Sequence, residues 1–141
     1  MQMKPSTILI DSSIVFFIMF IYSGYDKIIN FSDKIKSLDN KLSKYINLPE
    51  SVLEFGMKLV ILLEIIGPII ILYRMILGND APDILKILSI FTFICFILFI
   101  IVVTLIYHPP NDKIIPFLSN CTTLSGIIIM FVVSESSLIN N

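Results

Sequence analysis

The apolar positions of this chain gather into four long runs separated by short polar breaks. Residues 8–25, 59–77, 83–107 and 114–133 are almost wholly aliphatic or aromatic. Each run matches the length a helix needs to cross the hydrocarbon core of a bilayer, about 17–25 residues. Gly78-Asn79-Asp80-Ala81-Pro82 and His108-Pro109-Pro110-Asn111-Asp112 are strong helix breakers after the second and third runs. Four spans joined by such turns predict an all-α integral membrane protein, an up-down four-helix bundle of antiparallel neighbours. A single membrane domain covers residues 1–141, because no polar stretch is long enough to hold a core of its own. No small-x-small cleavage site follows the first run, so it reads as a span and not as a cleaved leader.

Residues 26–49 form the longest polar segment. Within it Phe31, Ile35, Leu38, Leu42 and Tyr45 recur at helical steps, and Lys34, Lys36, Lys41 and Lys44 fill much of the other face. This predicts an amphipathic helix over about 31–46, lying on the membrane surface between spans one and two. Docking onto a partner is the competing reading. Pro49 is placed to open the helix that leads into span two.

Span two holds the acid that the chemistry turns on. Glu64 lies five residues inside Leu59, about 8 Å deep. A lone carboxylate there costs about 2.5–3.5 kcal/mol on insertion scales. Glu64, Gly67, Ile71 and Arg74 share one helix face, which should look into the protein. Pro68 removes a backbone donor and is a place for a kink.

In an up-down bundle, span one ends, span two begins, span three ends and span four begins at the same end. Lys27, Glu64, His108, Tyr22 and Asn120 therefore gather there as a candidate ligand-binding cluster. Lys27 lies just outside span one and can snorkel to pair with Glu64, supported by a Ser or Tyr hydroxyl and by His108. At the other end, Asp11 and Arg74 each sit one turn in from the interface and are expected to form a structural ion pair, although Asp11 could equally be a solvated cap. Such a cluster serves as a headgroup or quinone site, a proton relay, a cargo notch, or simply a network that fixes helix packing. Both structural and functional roles for Glu64 stay open at this stage.

Composition narrows the classes. The chain has 141 residues, 56% of them hydrophobic, and a formal net charge of −1. The mean hydropathy is +0.93. No basic footprint for nucleic acid is visible. There is no Trp, so Tyr takes the interfacial places. No metal motif, phosphate loop or nucleophile triad is present, and no catalytic residue is assigned. Cys95 lies near mid-span and Cys121 near a span end, depths that differ by about 9 Å. A disulfide needs Cα atoms within about 7 Å, so two free thiols are expected. The lysines of 26–49 and Lys113 outnumber Lys4, Arg74 and Lys86 on the opposite side. The positive-inside rule then puts the first and third loops in the cytosol.

The ordered set of small motifs resembles the DoxX-like family of small four-span membrane proteins. Phe20 and Ser23-Gly24 precede Lys27, and Leu63-Glu64 precede Gly67 and Arg74. Thr104 with His108, and Asn120 with Leu124 and Gly126, complete the set. The resemblance spans most of the chain apart from residues 31–47 and the tail. Pro68 stands where such proteins often have another Gly, and 31–47 is longer than the usual connector. The resemblance implies a non-catalytic accessory or scaffold subunit that works with the lipid bilayer and other membrane subunits. It also implies two alternatives, a quinone-linked oxidoreductase subunit and a small-cargo receptor or transporter. The expected location is an integral, multi-pass one.

Overall fold

The computed structural model describes residues 5–111 and 114–139. Of the charges that set the expected orientation, Lys4 and Lys113 lie outside the described residues. The described chain is all-helical: α1 (Pro5–Ile29), α2 (Phe31–Leu42), α3 (Glu50–Leu77), α4 (Asp83–Tyr107) and α5 (Ile114–Ile139), with a 3₁₀ turn over Gly78–Asp80. Four of these helices are long and apolar enough to cross a membrane. They pack in the order α1, α3, α4, α5. Phe16 with Gly126 and Ser13 with Met130 bring α5 back against α1 and close the ring.

The bundle's core is aromatic. Phe17, Phe20, Phe93 and Phe96 are buried with Ile71, Ile100, Ile127 and Met130. Phe20 and Phe96 meet edge-on with centroids 4.9 Å apart, and Phe17 lies 5.8 Å from Phe96. Where the backbones must come close, the sequence supplies glycine. A Cβ on Gly24 would stand 2.8 Å from Ile65 and 3.2 Å from the Glu64 Cβ. This close approach draws the end of α1 onto α3.

Two helices run further than the hydropathy pattern indicates. α3 begins at Glu50, directly after Pro49 as expected, so the helix extends well ahead of its apolar run. At 1.5 Å per residue its 28 residues reach about 42 Å, well beyond a hydrocarbon core of about 30 Å. Its first turns form a platform for α2. Ile35 is buried on Leu53 and Met57, with Phe31, Leu38, Leu42, Leu48 and Ile61 packed around them. The apolar stripe of α2 therefore packs on the first turns of α3, inside the chain's own fold. Ile35→Val, which removes one methylene from this contact, should loosen α2 by about 1 kcal/mol. Proteolysis within 43–49 should then rise roughly fivefold, and an unchanged rate would count against the docking.

α5 likewise continues past Val133 to Ile139, which carries Glu135 on the helix and not in a loose tail. That extension rewires the far end. Arg74 is 2% exposed, and its Nη2 donates to Glu135 Oε1 at 3.0 Å. The expected Asp11–Arg74 pair is not formed. Asp11 lies two residues from Ser13, the position that faces α5, so it turns about 200° away and is exposed.

Candidate functional site

At the α2 end of the bundle, all five helices converge on a cavity of about 430 Å³. α2 roofs it with Lys34, Ser37 and Leu38. Phe20 and Ile100 belong both to its lining and to the buried core, so the core forms its floor. The walls carry Ser23 and Lys27 from α1, Gly56 and Glu64 from α3, Tyr107 from α4 and Asn120 and Thr123 from α5. His108, just past the end of α4, completes the rim.

The polar centre is an ion pair between α1 and α3. Lys27 Nζ donates to Glu64 Oε2 at 2.8 Å and to Oε1 at 2.9 Å. It also donates to Ser23 Oγ at 2.6 Å, and that hydroxyl donates on to Glu64 Oε1 at 3.2 Å. The Glu64 side chain is 3% exposed and that of Lys27 19%. Ser23 and Lys27 are one helical turn apart and thus share a face. Gly24 between them permits the approach that brings both to Glu64. Pro68 lies four residues beyond Glu64, so the Glu64 carbonyl lacks its ordinary helical donor. The ammonium's three N–H groups are all engaged, and the pair is a closed unit that presents little free charge to the cavity.

A second polar unit stands at the roof. Lys34 pairs with Asp26, and Asn30 Nδ2 donates to the other oxygen of Asp26 at 2.7 Å. The spacing 26, 30, 34 steps by four across the junction of α1 and α2, a signal present in the sequence that points to this latch. The Lys34 ammonium keeps donors beyond the one that Asp26 takes. The rings and amides at the rim are freer still. Among the described residues, no hydrogen bond is made by the His108 ring or the Asn120 carboxamide. The His108 backbone N–H donates to the Thr104 carbonyl at 2.9 Å, which fixes where that ring starts.

Of the five residues expected in the ligand cluster, Lys27, Glu64, His108 and Asn120 line this cavity. Tyr22 does not: it is 71% exposed on the outer face of α1, next in sequence to Ser23 but about 100° round the helix. Lys34 is the charged member of the lining that the sequence-based cluster left out. Cys95 and Cys121 are free thiols. Among the described residues, no three His, Cys, Asp or Glu side chains converge as a metal site requires.

No family model, curated protein or solved structure matches this chain in comparison.

Proposed function

We propose that this chain is a membrane protein that binds a lipid-soluble amphiphile in the cavity beneath α2. The observation that supports this reading is the coincidence of three features in one cavity. It has an apolar floor, a closed Lys27–Glu64–Ser23 network in its wall, and unspent hydrogen-bonding groups at its rim. A pocket of mostly apolar lining with a few convergent polar groups is how small-molecule sites are built, and about 430 Å³ falls within their usual range of about 300–1,000 Å³.

The quinone that the family resemblance implies is one such amphiphile, and the residues present fit it. Lys34, His108 and Asn120 would donate to its ring carbonyls, and the floor around Phe20 and Ile100 would take its tail. Bound there, a quinone would supply two-electron redox chemistry. The chain's own part is to orient the head and exclude water from the tail.

Gly56 offers a clean test. It lines the cavity, and a Cβ built on it meets nothing within 4 Å. Gly56→Phe should fill the space and leave the ion pair intact. Small molecules extracted from the purified chain and its Gly56→Phe variant are compared by mass spectrometry. An amphiphile present in the first and absent from the second is the expected result. Equal content in both would overturn the reading. An accessory subunit, the role that the resemblance implies, predicts instead stoichiometric protein partners in a mild-detergent native gel, unaffected by Gly56→Phe.

A further inference from the structure

We propose that the occupant is a single-chain amphiphile with an anionic head, taken sideways from one bilayer leaflet through a gap between α1 and α5. This inference rests on the amphiphile-binding reading above and adds the ligand's class and its route.

The route follows from how α1 and α5 diverge. Deep in the bundle they touch: Ser13 Oγ lies 3.3 Å from Met130 Sδ, and a Cβ on Gly126 would stand 2.9 Å from the Phe16 ring. One turn nearer the α2 end, the antiparallel register sets Met19 opposite Thr123, and the cavity lies between them. Met19 is 50% exposed and Ser119 is exposed, so the cavity reaches the outer surface at this level. α2 covers the top, leaving the side wall as the opening. A ligand that arrives this way is one already dissolved in the membrane.

The head's charge follows from the lining. Two lysines, Lys27 and Lys34, face one carboxylate, Glu64. The Lys27 charge is matched by Glu64 at 2.8 Å. The partner of Lys34 is Asp26, which is 38% exposed and lies outside the lining. An exposed pair of that kind is weak and readily exchanged for a better-placed anion. A carboxylate or phosphate at the rim would take charge-assisted hydrogen bonds from Lys34, with His108 and Asn120 beside it. Volume then sets the chain number. About 430 Å³ is near the low end for ligand pockets, a size that suits a head with a single hydrocarbon chain. The groove between α3 and α4 is larger, about 590 Å³, but no charged side chain lines it to hold a head.

The test uses the full chain in nanodiscs of phosphatidylcholine with radiolabelled palmitate. Unlabelled palmitate, oleoyl-lysophosphatidate, hexadecanol and decyl-ubiquinone are the competitors. Saturable palmitate binding displaced by palmitate or lysophosphatidate, and at least tenfold less well by hexadecanol, is expected. Which acid competes better tells a fatty-acid head from a phosphate head. Lys34→Gln, an exposed change that leaves the core untouched, should weaken binding about tenfold. Met19→Trp should slow association without removing the site. Hexadecanol or decyl-ubiquinone competing as well as palmitate, or Lys34→Gln binding unchanged, would overturn the anionic head and leave the amphiphile-binding reading standing. No displacement by any of the four, with full retention of the fold, would overturn both.

Discussion

Lys27→Ala is expected to lower the melting temperature in mild detergent by about 10–20 °C, whereas Lys27→Met combined with Glu64→Met should melt close to the unchanged chain. The single change leaves Glu64, 3% exposed, without its cation. Stranding one member of a buried pair costs about 3–5 kcal/mol. For a chain of this size that converts to roughly the stated shift. Ser23 retains its bond to Glu64 Oε1 at 3.2 Å, but a neutral donor does not replace an ammonium. The double change removes both charges and both desolvation penalties, and methionine fills the space with an adaptable apolar chain. A single variant that melts with the double one would show that the pair does not hold α1 to α3.

The second large effect concerns three glycines that look alike in the sequence. Gly67→Ala should destabilise by about 1–3 kcal/mol, the range for overpacking a well-filled core. Its Cβ would fall 2.8 Å from Phe96 Cε2 and 3.1 Å from Thr92 Cγ2. Phe96 is fully buried and wedged against Phe17 and Phe20, so its ring has nowhere to go. Gly24→Ala meets Ile65 Cγ1 at 2.8 Å and the Glu64 Cβ at 3.2 Å, so α1 must back off α3 and it too should destabilise, loosening the Lys27–Glu64 junction. Gly56→Ala meets nothing and should stabilise α3 by about 0.5–1 kcal/mol through the ordinary helix preference of alanine over glycine. Thermal or denaturant unfolding of the three variants gives the order directly. A Gly67→Ala chain as stable as Gly56→Ala would mean that α3 and α4 are not in close contact there.

The four spans were legible because each is a long apolar run, and the turns between them because Gly, Asn and Pro cannot continue a helix. The meeting of Lys27 with Glu64 was legible from topology, which puts the end of α1 beside the start of α3. What failed to show has physical causes. A stripe such as Phe31, Ile35, Leu38 and Leu42 has one pattern whether lipid or protein covers it, so docking on α3 was hidden. A span that is apolar all round does not reveal which side faces inward, so Tyr22 and Asp11 were assigned to the wrong faces. Glu135 follows the last apolar residues in a polar stretch, yet nothing there breaks a helix, and α5 carries it on to Arg74. Lys34 was read as part of a solvated face because its partner, Asp26, belongs to the preceding helix.

The phenylalanine layer beneath the cavity carries a consequence for traffic. Phe17, Phe93 and Phe96 are wholly inaccessible and Phe20 nearly so, and they fill the bundle's cross-section midway. Beyond them the interior is sealed again by Arg74 and Glu135. A guest admitted from one leaflet, as proposed, would meet a dead end among the described residues and would leave by the doorway it came through. On the proposed reading, a vessel of that shape would store, shield or hand over its contents along the plane of one leaflet and would not ferry them to the other.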